Sequence, residues 1–388
     1  MRQQASLVGV GMTPLDRRDL GPDVLAAQAA TDALGDAGLS PSAIGLVVVG
    51  NALGGRLSNQ GCIRGQSWLR SLGVQGAGII NVDNSCAGGS SALHVGIMAA
   101  LAGESPVLVV GIEKMWTGDR AATLAGIEDG VVADERQPLR DQLDVKTGSL
   151  LMGLNATWVR HQIEERGTTR TEIAATAVKA RRMGAGNPLA QFRSEVTVEE
   201  VLSSPSVAGP LTRLMVSSFT DGAAAAVVVA GTSPSTPRVL ASVVRSGNGE
   251  LDYHSRLNKV AGEAWMEAGI GPEDLEVVEV HDVTSAEELY AVESLGFFGP
   301  GEAGPATLKG ATAPGGDAVC VNPSGGLLAR GHPIGATGMC QVFELVQQLR
   351  GQSGSRQVEG VRFGAAVNTG GIISGDAATV SIHVLAKN

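Results

Sequence analysis

ALGDAGLSPSAIGLVVV, at Ala33–Val49, recurs 231 residues later as AWMEAGIGPEDLEVVEV, at Ala264–Val280. In each copy a helix-like stretch ends at a glycine, Gly38 or Gly269, and a proline and a Val-rich strand follow in register. Solenoid repeats recur every ~20 to 50 residues and many times over, so this pair is not a solenoid. The repeat instead predicts two similar α/β halves that arose by duplication.

Strands and helices alternate around the first copy of the repeat. The predicted elements are a helix at Asp23–Ala37, a strand at Gly45–Gly50, a strand at Gly78–Val82, a helix at Gly88–Ala102 and a strand at Pro106–Val110. Repetition of strand, helix and strand is typical of crossover units, so we expect a mostly parallel sheet. The 54 glycines of the chain fit tight turns between such elements.

Residues 117–210 break this alternation. The segment carries charge clusters such as Asp134-Glu135-Arg136, and amphipathic helical stretches at Gly148–Arg166 and Thr171–Met183. We interpret it as an inserted helical loop domain that lies over one face of the first half. The predicted domains are therefore an N-terminal half at 1–116 and 211–234, the inserted loop domain at 117–210 and a C-terminal half at 235–388.

The composition excludes several classes of protein. Of 388 residues, 29 are Lys or Arg and 39 are Asp or Glu, which gives a net charge of −10 that no basic cluster interrupts. We therefore expect no binding to nucleic acid or to membranes. The apolar stretches are far shorter than the ~20 residues needed to span a bilayer. The first residues do not form a secretory signal, so we expect a cytoplasmic protein.

Four cysteines, Cys62, Cys86, Cys320 and Cys340, lack the spacing of a disulfide framework or of a metal site, so we predict reduced thiols and no bound metal. Cys86 stands apart because Asn-Ser-Cys-Ala-Gly-Gly places it between a predicted strand and a predicted helix. The helix N-terminus favours a thiolate, and the Cys86 N–H and the glycines after it suit an oxyanion. Cys86 is therefore a candidate nucleophile, and the alternative is a small buried core cysteine.

Two histidines occupy comparable positions. His332 lies in Gly331-His-Pro-Ile-Gly335, just before a predicted helix at Thr337–Leu349, and His281 follows the Val-rich strand Glu276–Val280. Such positions bind ligands in parallel sheets, and an imidazole there can act as base or as hydrogen-bond donor. A structural role is an equally good interpretation of either histidine alone. Three reactive side chains in matching positions favour catalysis.

Motifs along nearly the whole chain resemble those of thiolases, specifically the sterol-carrier-protein type and its archaeal and bacterial relatives. They are Ser85-Cys86-Ala-Gly-Gly89, Gly111-Ile-Glu-Lys-Met115, Asn187-Pro188, Asp221-Gly-Ala-Ala-Ala225, His281-Asp282, Asn322-Pro-Ser-Gly-Gly326, Gly331-His332-Pro333 and Asn368-Thr-Gly-Gly371. The resemblance implies the thiolase fold, an α/β fold of two duplicated βαβαβ halves in five layers (αβαβα) with an inserted helical loop domain. It also implies a tight dimer and acyl transfer between thioesters, with coenzyme A as co-substrate and no permanently bound cofactor.

The same resemblance implies roles for single residues. Cys86 accepts the acyl group, His332 activates its thiol, and His281 together with His332 stabilises a thioester enolate. Gly370 and Gly371 join the Cys86 N–H around the acyl oxygen, and Asn368 lies beside them at the substrate. These roles suit a β-ketothioester, because its cleavage needs thiolate attack on the ketone and a stabilised enolate.

The chain departs from the family at the second catalytic cysteine. Classical thiolases have that cysteine where Asn368 stands here, and the sterol-carrier type has it where Val283 stands. Since acid/base catalysis is worth roughly 10² to 10⁴ in rate, we expect a specialised substrate, bulky or carboxylated, that stabilises its own carbanion. Thr284, water or the substrate could also move the proton, and decarboxylating ketoacyl synthases, with a similar Cys-His-His set, need no such base.

The sequence leaves three functions open. The first is a thiolase-like acyltransferase that cleaves or forms a β-ketoacyl-CoA. The second is a retro-aldol lyase of the sterol side-chain type, which forms no acyl-enzyme, and the third is a non-catalytic subunit of a thiolase complex. Retention of Cys86 and both histidines favours the first. Many relatives of this branch work with a small zinc-ribbon and OB-fold protein, so the expected partners are an acyl-CoA, a second copy of the chain and such a small protein.

Overall fold

The computed structural model describes residues 4–74, 76–143, 148–232 and 234–388, and no helix in these ranges is long and apolar enough to cross a membrane. The N-terminal half alternates strands and helices close to the predicted bounds. Its first elements are β1 (Ala5–Met12), α1 (Pro22–Ala37), β2 (Leu46–Gly50), α2 (Gly54–Leu57), α3 (Arg64–Trp68), β3 (Gly78–Val82), α4 (Gly88–Leu101) and β4 (Val107–Glu113).

A run of helices follows β4 and confirms the helical character of the inserted segment. The elements are α5 (Arg120–Ile127), α6 (Arg136–Gln142), α7 (Leu150–Arg166), α8 (Arg170–Ala185), α9 (Val198–Ser203), β5 (Ser206–Ala208), β6 (Leu211–Thr212) and then β7 (Gly222–Ala230). Thr169 and Thr197 begin α8 and α9 with capping boxes, in which Glu172 and Glu200 hydrogen-bond back to the threonine N–H. Each box satisfies N–H groups that would otherwise lack a partner at the start of a helix.

The C-terminal half repeats the order of the first. Its elements are β8 (Arg238–Ser246), α10 (Tyr253–Ala268), β9 (Val277–Glu279), α11 (Ser285–Ser294), α12 (Ala303–Leu308), β10 (Cys320–Val321), α13 (Gly326–Ala329), α14 (Thr337–Arg350), β11 (Phe363–Ile373) and β12 (Asp376–Ala386). Helices α1 and α10 are each 16 residues long and end at Gly38 and Gly269, with φ of 67° and 71°. Glycine adopts this left-handed conformation without steric cost. The predicted duplication is therefore confirmed.

Ten strands form one sheet with the order β10-β9-β11-β12-β8-β1-β7-β4-β2-β3, and β5 and β6 pair separately. In each half the three outer strands are parallel, whereas the pairs nearer the centre are antiparallel. The prediction of a mostly parallel sheet is therefore wrong, because the sheet is mixed. One reason is the two-residue turn between β11 and β12, since so short a connection can join only antiparallel strands.

Helices α4 and α14 lie between the two halves, and each contacts strands of both. On the outer faces, α1 contacts β1, β4 and β7, and α10 contacts β8 and β12. Within the described residues, the half-sheets pair with each other only at β1 and β8, where Ser6 pairs with Arg238. This narrow junction lets both half-sheets cover the central helices, and the result is the predicted five-layered αβαβα arrangement.

The two longest helices of the inserted segment, α7 and α8, pack on the C-terminal half. Helix α7 contacts α11, and α8 contacts α11, α12 and α13. Val159 and Ile173 share a core with Leu289, and the buried Lys179 pairs with Glu288 at 2.6 Å. The predicted position over the first half is met by α5, which contacts α2, but is wrong for α7 and α8. The pattern of an amphipathic helix shows which face is buried but not what covers it. The domain boundaries themselves stay predictions.

The central helices touch through glycines at their first turns. A Cβ on Gly338 of α14 would lie 1.9 Å from Ser90 Oγ and 2.8 Å from Ser90 N of α4. A Cβ on Gly89 would lie 2.8 Å from the carbonyl oxygen of Gly335. Larger residues would push the helices apart, so glycine is required here. Because the first turns meet, the residues that precede α4 and α14 are neighbours.

Gly338→Ala should destabilise the protein, because the added methyl group overlaps Ser90. Overpacking of this kind costs about 1 to 3 kcal/mol of unfolding free energy. Gly262→Ala is the matched control, since Gly262 lies inside α10 with open space at its Cβ position. There alanine should add about 0.5 to 1 kcal/mol. Urea unfolding measures both variants, and equal stabilities would contradict the close helix contact.

Candidate active site

Cys86 lies in the short turn between β3 and α4, as the sequence predicts. Ser85 has a φ of +50°, in the left-handed region that residues other than glycine rarely adopt. The Asp83 Oδ1 accepts a hydrogen bond from the Ser85 N–H at 3.1 Å and supports the turn. This conformation presents the half-buried Cys86 side chain at the start of the helix.

The structure brings His281 and His332 to Cys86. One reactive atom of each residue, the Cys86 Sγ and a ring nitrogen of each histidine, lies within 4.8 Å of the other two. The imidazole rings meet edge to face, with centroids 5.2 Å apart. These atoms are also near enough to one another to hold one metal ion, whereas the sequence predicts no metal. The three candidate catalytic residues therefore form one cluster.

The cluster lines a cavity of about 740 Å³. Both halves and the inserted segment contribute to its largely apolar wall, which includes Trp116, Leu151, Met152, Trp158, Phe192 and Leu328. Val283 also lines the cavity. The position that holds the second cysteine in sterol-carrier thiolases therefore faces the reaction space here with an apolar side chain.

Gly370 and Gly371 line the same cavity beside Cys86. A Cβ on Gly370 would lie 2.2 Å from the carbonyl oxygen of Asn84, and Gly371 has a φ of +67°. Only glycine therefore lets the end of β11 approach the Cys86 turn so closely. This approach suits the predicted role of the two glycines at the acyl oxygen.

Asn368 is fully buried behind His281 and does not line the cavity among the described residues. The Gln341 Nε2 donates to the Val367 carbonyl oxygen at 3.0 Å, so the Gln341 Oε1 accepts from the Asn368 Nδ2 at 3.1 Å. The same Nδ2 lies 3.3 Å from the His281 Nδ1. Since Nδ2 can only donate, Nδ1 is the acceptor and the proton of His281 is on Nε2. His281 can therefore donate a hydrogen bond into the cavity.

The hydrogen bonds of Thr337 hold His332 in the opposite tautomer. The Thr337 hydroxyl donates its single proton to the Pro333 carbonyl oxygen at 3.0 Å. Its oxygen must therefore accept from the His332 Nδ1–H, 2.7 Å away. The His332 Nε2 then keeps its lone pair and can act as a base.

Burial keeps all three groups neutral at rest. It raises the pKa of the Cys86 thiol to about 12, to which the Glu113 carboxylate adds. It lowers the pKa of His281 to about 3, and Arg330 contributes to that shift. The pKa of His332 is also held well below its usual range. The sequence-based expectation of a favoured thiolate is therefore wrong for the resting site, because desolvation outweighs the helix dipole.

Other candidates lie away from the cluster. Cys62 is exposed, and Cys320 and Cys340 are buried in β10 and α14. Thr284, considered above as a proton carrier, is buried, and its hydroxyl oxygen accepts from the Glu287 N–H at the start of α11. It does not line the cavity among the described residues, so its role is structural.

Five ionisable lining residues were not predicted from the sequence as site residues. They are Tyr253, Arg17, Arg120, Arg181 and Arg213. No Asp, Glu or Lys lines the cavity in the described part of the chain. These residues belong to no motif and are scattered along the sequence, so only the tertiary structure brings them together.

Models of known protein families match two parts of the chain. The thiolase N-terminal domain matches residues 5–232, and the thiolase C-terminal domain-like model matches residues 249–383. The chain belongs to the thiolase family. This confirms the resemblance found in the motifs.

Relatives place this thiolase in the expected branch. It is 34% identical to an acetyl-CoA acetyltransferase of Methanothermobacter thermautotrophicus, over 99% of this chain and 100% of the relative. It is also 34% identical to the benzoylsuccinyl-CoA thiolase subunit BbsB of Thauera aromatica, over 93% of each chain. Sterol carrier protein 2 of Bos taurus is 32% identical, over 95% of this chain and 70% of the relative. This thiolase is therefore an acyltransferase.

A solved structure, the Ltp2-ChsH2(DUF35) aldolase, shows the same fold. It is similar to this thiolase with a TM-score of 0.81 and 22% identity, over 99% of this chain and 98% of the other. At this level of identity the likeness concerns the fold and not the reaction.

The two tautomers can be tested by ¹⁵N NMR of the histidine rings. We expect Nε2-protonated His281 and Nδ1-protonated His332. Because the pKa of His281 is about 3, its ring should stay neutral from about pH 8 to 5. A histidine in an unfolded chain would gain a proton within this range, since its pKa is about 6.5. Asn368→Leu removes the donor to the His281 Nδ1 and should alter its ring signals, and an unchanged spectrum would contradict the assignment.

The lowered pKa values of His281 and His332 also affect the stability of the protein. Below about pH 6.5 the unfolded chain binds protons at these histidines that the folded chain does not bind. The free energy of unfolding should therefore fall as the pH drops from about 6.5 toward 3.

Proposed function

We propose that this thiolase cleaves or forms a β-ketoacyl-CoA through a thioester on Cys86. The observation that carries the proposal is the cluster of Cys86, His281 and His332, whose reactive atoms lie within 4.8 Å of one another. A thiol, an imidazole with a free lone pair and an imidazole N–H are the groups that this reaction needs. Coenzyme A is the co-substrate, and the reaction requires no permanently bound cofactor.

Each group has a defined step in the cleavage direction. The His332 Nε2 takes the proton of Cys86, and the thiolate attacks the ketone carbon. The N–H of Cys86 and the loop of Gly370 and Gly371 stabilise the oxyanion. Carbon–carbon cleavage then releases a thioester enolate, whose oxygen accepts a hydrogen bond from the His281 Nε2–H. The thiol of coenzyme A finally removes the acyl group from Cys86.

The cavity favours a bulky, carboxylated acyl chain. It has four arginines and no acidic residue among its described lining residues, although the chain as a whole has a net charge of −10. The phosphates of coenzyme A pair with some of these arginines, and a carboxylate on the acyl chain would pair with another. The volume of about 740 Å³ and the apolar wall suit a bulky chain. A relative named for benzoylsuccinyl-CoA supports the same class.

Arg17 is the arginine placed best for an acyl carboxylate. Its Nε donates to the Phe219 carbonyl oxygen at 3.3 Å and a terminal nitrogen donates to the Ser218 Oγ at 3.0 Å. Its guanidinium also lies over Trp116, 4.7 Å from the ring centroid. Since the Phe219 backbone pairs with His332, these contacts hold the charge near the reacting atoms. The remaining N–H groups of Arg17 can bind a carboxylate.

We also propose that the protein forms a homodimer and works with a small zinc-ribbon and OB-fold partner. Strand β3 lies at the edge of the sheet and exposes Ile80, and an exposed apolar edge strand readily pairs with another strand. The partner is supported by the Thauera aromatica relative, which is named a subunit, and by the solved Ltp2-ChsH2(DUF35) aldolase. Sedimentation of the purified chain, alone and with the small protein, tests both associations.

Acyl-CoA and β-ketoacyl-CoA thioesters should add acyl mass to Cys86 and to no other cysteine. Cys86→Ala should lose the adduct and all acyl transfer, because it removes the nucleophile. The exposed Cys62 offers the matched control, and Cys62→Ala should keep wild-type activity. Mass spectrometry of the intact protein and its peptides measures the adduct.

Two outcomes of this experiment would contradict the proposal. Carbon–carbon cleavage by Cys86→Ala would indicate a retro-aldol lyase, which forms no acyl-enzyme. No adduct and no turnover with any thioester would indicate a non-catalytic subunit.

Arg17→Gln should lower kcat/KM for carboxylated acyl-CoAs by about tenfold or more, the usual effect of losing a charged hydrogen bond. An uncharged acyl-CoA of the same length is the internal control and should be little affected. Steady-state kinetics with the two substrates measures the difference. An equal loss for both would place Arg17 at coenzyme A instead of the acyl carboxylate.

A further inference from the structure

One proton transfer of the proposed reaction has no group assigned to it. The enolate released by cleavage must gain a proton at carbon. Among the described residues that line the cavity, the side chains able to transfer a proton are Cys86, Tyr253, His281 and His332. At this step Cys86 is a thioester, and the His281 N–H binds the enolate oxygen. Tyr253 and His332 are left as candidates.

Tyr253 is buried at the start of α10 with its phenol at the cavity wall. Its hydroxyl is hydrogen-bonded to the Thr369 Oγ1. Thr369 directly precedes Gly370, whose backbone packs against the Cys86 turn. The Tyr253 ring also packs against Trp158, with centroids 5.0 Å apart. These contacts hold the phenol in the wall of the cavity that also contains Cys86.

We propose that Tyr253 is a catalytic residue that protonates the enolate carbon after carbon–carbon cleavage, an inference that rests on the proposed thiolase reaction. Thr369 is its positioning residue. Once the phenol has lost its proton, the Thr369 hydroxyl can donate a hydrogen bond to the phenolate oxygen.

The protons and electrons of the cycle balance. When the C2–C3 bond of the β-ketoacyl-CoA breaks, its electron pair moves to C2 of the departing thioester. The O–H bond of Tyr253 then breaks as a C–H bond forms at C2. The phenolate next regains a proton from water, to which the thiol of coenzyme A has lost its own proton, and the sulfur of coenzyme A takes the acyl group. The Cys86 thiolate leaves and regains its proton from His332, so every group returns to its starting form.

The resting state of Tyr253 favours the cleavage direction. Burial holds the pKa of Tyr253 well above its usual range, and negative charge at Glu287 adds to the shift. The group is therefore a phenol before reaction and can give a proton. Condensation would need the phenolate first, to take a proton from an acyl-CoA.

The test compares two ways of acylating Cys86. A β-ketoacyl-CoA acylates it by breaking a carbon–carbon bond, and the carbanion formed must be protonated. A simple acyl-CoA acylates it by releasing a thiolate, which leaves without help from an acid. Tyr253→Phe should slow the first reaction by ~100-fold or more and leave the second within about threefold of wild type. Rapid quench followed by mass spectrometry of the Cys86 peptide measures both.

Tyr290→Phe is the matched control. Tyr290 is the other tyrosine of the chain, and its hydroxyl donates to the Trp158 carbonyl oxygen without lining the cavity among the described residues. This variant should keep both rates.

Two results for Tyr253→Phe would overturn the proposal. If the variant cleaved the β-ketoacyl-CoA at the wild-type rate, His332 would be the proton donor. Equal slowing of both reactions would show that Tyr253 supports the structure of the site. Failure of the wild-type protein to acylate Cys86 with either thioester would refute the proposed function itself, and this inference with it.

Discussion

The active site depends on the close contact between the central helices. Cys86 precedes α4 and His332 precedes α14, and the two residues belong to different halves of the chain. Glycines such as Gly89 and Gly338 let the first turns of these helices touch. The buried Glu113 reinforces the contact, because its carboxylate accepts hydrogen bonds from backbone N–H groups of both halves. The thiol and the imidazole are therefore neighbours before any substrate binds, and the entropy of bringing them together is lost on folding and not during the reaction.

Burial and hydrogen bonding together govern the chemistry of this site. Desolvation keeps Cys86 protonated and both histidines neutral, so the reactive charges form only during the reaction. Hydrogen bonds outside the cavity determine which ring nitrogen carries the proton. Asn368 and Thr337 impose opposite tautomers on His281 and His332, which makes one imidazole a donor and the other a base. An amide that transfers no proton thus contributes by orienting a group that lines the cavity.

The inserted segment supplies part of the positive charge of the cavity. Its long helices pack on the C-terminal half, partly through the buried pair of Lys179 and Glu288. The segment contributes Arg181 of α8 and Arg120 of α5 to the cavity wall. An acidic protein therefore has a cationic cavity, and a concave, largely apolar wall concentrates the field of such charges. Such a cavity attracts anionic ligands even though the net charge of the chain repels them.

The sequence by itself determined the duplication, the fold family and the identity of the three clustered residues. Glycine C-caps, Val-rich strands and motifs around Cys86, His281 and His332 are local patterns, and local conformation follows from them. The tertiary structure decided the antiparallel pairs of the sheet, the face that the insertion covers and the tautomers of the histidines. It also revealed Tyr253, whose partner Thr369 lies 116 residues away. These features depend on contacts between segments that are far apart in the sequence. Neither segment alone indicates its partner, because the partner depends on how the whole chain packs.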